Sequence, residues 1–204
     1  MEAIRSISSP EKVFDTNGSK PALILCDDLD FYVCKYNRIP GTEAKKLFNE
    51  YLAGSFAKLW RLAIPEFKLV LVDPLHIDGH KYLQPAFFRT PCFGSKYNNR
   101  LSEIDEFYGE RMASMKKQFG HRHEFLKIAL FDIWLANEDR NFNNYNLLID
   151  IENHNRFVPI DHDAIFNTGN LDKGLVLLSD NETLISTDIT RQLFLEQHST
   201  GSAS

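Results

Sequence analysis

The stretch NEDRNFNNYNLLID, residues 137–150, follows an almost wholly apolar run and carries Asp139, Asn144 and Asn146. Asp139 stands directly after that run, so a buried element can fix its backbone while its carboxylate faces a cleft. Asn144 lies five residues on, and Asn146 opens the next aliphatic run. Asp161 comes at the exit of a further short apolar run, FVPIDHD. A carboxylate, an amide oxygen and a second carboxylate at the ends of adjacent strands suit a hard cation with oxygen ligands, Mg²⁺ above all. That ion takes one or two protein carboxylates and leaves its other positions to water and phosphate oxygens. Taken alone, these residues also fit an Asn-rich turn and a strand-ending Asp with nothing bound.

Lys35 shifts the balance towards phosphate chemistry. It lies in FYVCKY (31–36), in phase with Phe31 and Val33, while the opposite face carries Tyr32, Cys34 and Tyr36. Neither face is polar. A lysine so flanked either snorkels at a strand end or is buried against an anion, a carboxylate or a phosphate. Glu50 can supply the carboxylate, since it sits off the apolar stripe of the next helical segment beside Gly54 and Ala57, small residues that leave room for another element.

The elements that must hold these residues can be read in outline. PALILC (21–26) and FYVCKY, joined by DDLD, read as a hairpin after the turn DTNGSK. From Glu43 to about Ala63, Leu47, Phe48, Tyr51, Leu52, Ser55 and Leu59 fall near one helical face, which the period predicts to be the buried one. EFKLVLVDP (66–74) reads as a strand stopped by Pro74. Residues 75–100 read as loop-rich and as the boundary between two lobes. Residues 101–119 read as a helix capped by Ser102, and 123–137 as a helix apolar nearly all round and buried on most faces. NLLIDI and FVPI read as strands around the turn ENHNR, residues 167–190 as a long loop, and 198–204 as a frayed tail.

Composition bounds the partners. The chain has 204 residues, 43% hydrophobic and 25% charged, with 16 phenylalanines, values that fit a globular protein with a well-filled core. A net charge of −5 gives no electrostatic case for direct nucleic-acid or membrane binding. Three cysteines without CxxC spacing argue against both a disulfide framework and a zinc site. No signal core or membrane-spanning run is visible, so a cytoplasmic location is expected.

Lys in a strand, Glu in the next helix, Asp and Asn in a loop after a buried helix, then Asp after the next strand: this order resembles that of the kinase superfamily. The step from Asp139 to Asn144 matches the spacing of a protein-kinase catalytic loop. Asp-Arg-Asn and IDHD, together with LFNEYLAGSFAKLWRLAIPEF, LFDIWLANEDRNFNNYNLLI and FVPIDHDAIF, resemble the HipA-like kinases and, more distantly, the phosphatidylinositol kinases. The resemblance spans roughly residues 17–170 and is most specific over 131–166. It implies an α+β, bilobal protein-kinase-like fold, with a small β-rich lobe over about 1–94 and a mainly helical, shortened lobe over about 95–197. It also implies ATP and Mg²⁺ as cofactors and a protein Ser/Thr acceptor. Under it Asp139 handles the acceptor hydroxyl, Lys35 held by Glu50 steadies the phosphates, and Asn144 or Asn146 joins Asp161 at the metal. Some members of the family are toxins controlled by a DNA-binding partner, so an antitoxin or other separately encoded partner is a further expectation.

The chain also departs from the family's pattern. NNYNLLI holds two more residues before its aliphatic run than is usual; the five-residue step favours Asn144 and adjacency to the strand favours Asn146. TNGSKP stands where relatives carry a small loop with a phosphorylatable serine, a place that Ser19 can fill, or it is an ordinary turn. Lys96, after Ser95, is a candidate nucleotide contact. The short second lobe and the missing glycine-rich loop motivate a rival reading, a non-catalytic nucleotide-binding module; the lipid-kinase likeness motivates another, a kinase for a small molecule or lipid. His76 and His80 make a weak metal pair interrupted by Gly79, His162 and Asp163 read as structural neighbours of Asp161, and Arg140 reads as a brace for the loop.

Overall fold

A computed structural model describes residues 3–16, 20–39, 42–104, 116–169, 174 and 177–194. It is α+β. The hairpin forms as the sequence predicts: β3 (Ala22–Leu25) and β4 (Phe31–Lys35) pair antiparallel, with Leu23 opposite Val33 and Leu25 opposite Phe31. Two short strands precede it, β1 (Ile4–Arg5) and β2 (Lys12–Val13), each too brief to show a period in sequence. With β5 (Phe67–Leu71) and β6 (Cys92–Lys96) they form a six-stranded sheet in the order β1-β5-β6-β4-β3-β2.

Strand β6 corrects the reading of 75–100 as loop. It is a central strand, lying between β4 and β5. Its glycine hid it. A Cβ on Gly94 would come 2.5 Å from Val70 Cγ2, so glycine is what allows the two strands' side chains to interleave here. Pro74 likewise does more than stop a strand: with Asp73 as N-cap it opens the short helix α2 (Pro74–Ile77).

Helix α1 (Thr42–Leu59) forms, but on a different face from the one its large apolar residues predict. Asn49, Glu50, Ala53, Gly54 and Ala57 are buried, while Phe48 and Leu59 are 63% and 77% exposed. Closeness decides the face. The ring of Phe67 occupies the space that a Cβ on Gly54 would enter at 2.7 Å, so the small residues let the helix settle on the sheet and carry Glu50 inside.

The expected helix over 101–119 is corrected at its two ends only. Leu101–Glu103 is strand β7, with Ser102 opposite Ile149 rather than at a helix cap, and Lys116–Gln118 is a single 3₁₀ turn; residues 105–115 lie outside the described residues. Helix α3 (Arg122–Leu135) ends at Ala136, which adopts a left-handed conformation. It buries Phe125, Ile128, Ala129, Phe131, Asp132 and Leu135 but leaves Leu126, Leu130, Ile133 and Trp134 exposed, so it is not buried on most faces. Strands β8 (Leu147–Asp150) and β9 (Arg156–Pro159) complete a three-stranded antiparallel sheet with β7. The expected loop 167–190 contains 3₁₀ turns and runs into a short helix, α5 (Asp188–Phe194); Ile189 and Leu193 join the core around Phe125, Phe131 and Phe157. Among the described residues no helix is long and apolar enough to cross a membrane.

Candidate active site

Strand β4 ends on Lys35, and α1 brings Glu50 beneath it. The ammonium bonds Glu50 Oε1 and, at 2.6 Å, Asp161 Oδ1. Glu50 is nearly fully buried, and its other oxygen accepts the backbone N–H of His162 at 3.0 Å. Thus the sheet, α1 and the segment after β9 meet at one cation. Burial pulls the Lys35 pKa down, but the two carboxylates outweigh it and hold the lysine firmly protonated. For Asp161 burial acts upward, and the lysine charge and hydrogen bond overcome it, leaving the carboxyl below its usual range. In Glu50 burial prevails over Lys35 and the pKa is raised.

Asp161 is placed by its backbone. Ile160 N donates to Asn146 O at 3.0 Å, locking the end of β9 to the start of β8, and Asp161 then turns with φ +57°. That conformation is costly for a non-glycine residue and persists where the surroundings over-determine it. Those surroundings come largely from α1. Asn49 Nδ2 donates to the carbonyls of Asp163 at 2.8 Å and Ile165 at 3.4 Å, and Lys46 Nζ pairs with Asp163 Oδ2 at 2.8 Å. Lys46, Asn49 and Glu50 therefore form a row along one helix that grips residues 161–165. The chain then enters helix α4 (Ile165–Gly169), one turn with Phe166, Asn167 and Thr168 at positive φ, tied to the end of α3 by Asn167 N to Ala136 O at 3.2 Å.

Asp139 sits after the α3 cap and is half-buried. Its Oδ2 accepts from Asn144 Nδ2 at 3.0 Å and Asn146 Nδ2 at 3.2 Å. Both asparagines thus spend their amide nitrogens on one oxygen, leaving both amide oxygens for another donor or a cation. The geometry keeps both in contention. Burial, then the charges of Asp161 and Asp163, raise the Asp139 pKa against the two amide bonds. Those influences place the three carboxylates in one electrostatic neighbourhood. The loop is a tight turn, with Asn141 and Asn144 exchanging backbone hydrogen bonds at 3.1 and 3.2 Å.

Arg140 braces this loop from inside. Its Nε meets Asp132 Oδ2 at 2.9 Å, and its Nη1 donates to the carbonyls of Asn146 and, at 3.0 Å, Ile160. Asp132 also accepts from Asn137 at 2.8 Å. One guanidinium therefore joins α3, the loop and both strand ends next to Asp139 and Asp161. Asp132, Asn49 and Lys46 escaped the sequence reading. Asp132 is a lone acid in an apolar run, a signal that a buried partner is required; Lys46 and Asn49 flank Glu50 on the small-residue face.

The remaining candidates are scattered. Ser95 lines a small cavity with Glu50, Gly54, Phe67, Phe93, Asp161 and His162. Lys96 points the other way and pairs with Asp30 at 2.5 Å. Ser19 lies outside the described residues. His76 bonds Ser6 Oγ at 2.8 Å, and His80 accepts backbone N–H groups of Tyr82 and Leu83, so the weak metal pair is occupied structurally. His162 is buried, and burial followed by the Arg140 charge pushes its pKa well down.

Among the described residues no three His, Cys, Asp or Glu side chains converge to hold a metal by themselves. Mg²⁺ does not ask for that: one or two carboxylates with amide, water and phosphate oxygens suffice. The amide oxygens of Asn144 and Asn146, which accept no hydrogen bond among the described residues, and the Asp139 and Asp161 carboxylates fit such an ion.

A family model described as HipA-like kinase matches residues 11–194. No curated protein and no solved structure matches the chain.

Proposed function

The chain belongs to the HipA-like kinase family, and from this we propose that it is an ATP- and Mg²⁺-dependent phosphotransferase acting on a protein Ser or Thr. The observation that carries the reading is Lys35 held between buried Glu50 and Asp161, opposite Asp139 and its two asparagines. In this reading the six-stranded sheet with α1 is the small lobe, the part from β7 onward is the helical lobe, and ATP binds between them. Lys35 holds the nucleotide's phosphates, and Glu50 keeps the ammonium from swinging out of the cleft. Asp161 and one of Asn144 and Asn146 hold Mg²⁺, which when bound neutralises charge on the phosphates.

Asp139 accepts the proton of the acceptor hydroxyl as that oxygen bonds to the γ-phosphorus and the β–γ bridge bond breaks. The two amides orient the carboxylate, and its raised pKa keeps it a usable base. Most of the rate gain comes from positioning and charge neutralisation. A cytoplasmic setting and a separately encoded antitoxin-like partner belong to the same reading.

The test is direct. The purified chain is incubated with Mg-ATP and a Ser/Thr peptide library, and transfer is followed by mass alongside Asp139→Asn and Asp161→Ala. Transfer by the wild type that both substitutions remove is expected. A wild type that binds ATP and transfers to nothing overturns the enzyme reading in favour of a nucleotide-binding module, and transfer that survives both substitutions overturns the residue roles.

A further inference from the structure

Among the described residues four buried side-chain atoms have no hydrogen-bond partner, and three of them belong to Asn137, Arg140 and His162: Asn137 Oδ1, Arg140 Nη2 and His162 Nε2. Their surroundings bring the three together. Asn137 Nδ2 and Arg140 Nε share the Asp132 carboxylate, at 2.8 and 2.9 Å. Arg140 Nη1 turns to the carbonyl of Ile160 at 3.0 Å, which leaves Nη2 as the amine between the Asp132 side and the Ile160 side. His162 reaches that place from both directions. It follows Ile160 by two residues, and its ring meets edge-on that of Phe131, the neighbour of Asp132, with centroids 5.9 Å apart. Burial, and after it the Arg140 charge, keeps the imidazole neutral.

Buried polar atoms are almost always paired, with protein or with ordered water. Chemistry selects the partner here. The guanidinium amine only donates, whereas the amide oxygen and the unprotonated nitrogen of a neutral imidazole only accept. Facing the guanidinium, Nε2 carries the lone pair and the ring proton sits on Nδ1. An anion would satisfy Arg140 but face two acceptors, and a metal cation would satisfy the acceptors but face the guanidinium. A water molecule offers a lone pair to the donor and two protons to the acceptors, and about three hydrogen bonds is usual for a buried one. We infer that one buried water accepts from Arg140 Nη2 and donates to Asn137 Oδ1 and His162 Nε2, and that through it His162 is a positioning residue for Asp161. The backbone N–H of His162 is already held by Glu50 Oε2 at 3.0 Å. With its ring tied as well, His162 fixes the chain immediately after Asp161, whose φ of +57° needs such support.

Crystal structures of the wild type, His162→Phe and His162→Gln test it. The wild type should show one water about 2.7–3.2 Å from all three atoms. His162→Phe keeps the ring's bulk and its packing on Phe131 but not the nitrogen, and should lose both the water and the contact between Asp161 and Lys35. His162→Gln, whose amide oxygen can reach the place of Nε2, should keep both. His162→Met is the apolar variant to use if the phenylalanine variant does not fold. In Mg-ATP kinetics the apolar variant should need about tenfold more Mg²⁺ while kcat at saturating Mg²⁺ stays within about twofold, and His162→Gln should stay near wild type. Only the kinetics rest on the phosphotransferase reading; a wild type that transfers nothing fails that reading, and the crystal structures still decide this one. A wild type without that water, an apolar variant in which Asp161 stays on Lys35, or a Mg²⁺ requirement that the apolar variant leaves unchanged overturns the inference.

Discussion

Replacing Asp132 by Asn removes the counter-ion of Arg140 while keeping the shape of the side chain. Both partners are buried, 1% and 0% exposed, so no water can take over the lost charge interaction. Removing one member of a buried pair costs about 3–5 kcal/mol, because the other is left charged in a poor solvent. That is a large share of the roughly 5–15 kcal/mol that stabilises a domain, and corresponds to a melting decrease of about 6–20 °C for a chain of this size. Arg140→Met should cost a similar amount, leaving Asp132 charged and the carbonyls of Asn146 and Ile160 without their donor. The double variant Asp132→Asn/Arg140→Met should lose less than the sum of the singles by about 2 kcal/mol or more, since neither charge remains. Urea unfolding of the four proteins closes the cycle. Because Arg140 holds both strand ends beside Asp139 and Asp161, Asp132→Asn should also lower phosphate transfer about 10–100-fold under conditions where it is folded. Singles within 1 kcal/mol of wild type, or a double variant that is simply additive, would refute the idea that this pair braces the site.

Lys35→Met should reduce turnover with ATP by about two to three orders of magnitude, and steady-state kinetics at saturating Mg²⁺ would show it. The Asp161 carboxyl lies below its usual pKa chiefly because Lys35 outweighs burial, so its stabilising contribution is full above the unfolded value near 4 and is lost as pH falls through the lower folded value. The stability gap between wild type and Asp161→Asn should therefore shrink below about pH 4 in acid titrations followed by circular dichroism. Asp139 is the reverse case: its raised pKa penalises the charged form, a penalty present at neutral pH and absent below about 4. Asp139→Asn should thus melt at or above the wild-type temperature at pH 7 while abolishing transfer, and a clear loss of stability would contradict this. Asn49→Ala should cost about 1–3 kcal/mol in urea unfolding, by leaving the carbonyls of Asp163 and Ile165 without their donor.

Much of the candidate site was legible because it uses charged residues that are expensive to bury without a partner. A lysine between two apolar faces asks for an anion, and Glu50 beside Gly54 and Ala57 asks for a close neighbour; the structure brings them together. The fold was legible where a period ran long enough, as in the β3–β4 hairpin and α3, and it failed where close approach replaced bulk. Strand β6 carries a glycine because Val70 fills the space a side chain would need. Helix α1 buries its small and polar face because nearness to Phe67 places Glu50 under Lys35, and its bulky residues are left outside. A pattern that counts apolar residues misses the strand in the first case and picks the wrong face in the second.

The same physics explains why Asp132, Asn49 and Lys46 were missed. No local pattern names the partner of any of them, since each acts on chain eight or more residues away: Asp132 on Arg140, Asn49 on the carbonyls of Asp163 and Ile165, Lys46 on the Asp163 carboxylate. Their shared task is to hold a backbone that would not hold itself. Asp161 at φ +57° and the following turn at Phe166–Thr168 sit where ordinary residues are disfavoured. A segment free to relax would turn the Asp161 carboxylate away from Lys35, and the two groups that sequence alone could pair with phosphate chemistry would no longer face one cleft. The buried arginine, asparagine and carboxylates are thus the cost of keeping two acidic groups and one lysine in register, and they explain why so many polar residues lie inside so small a core.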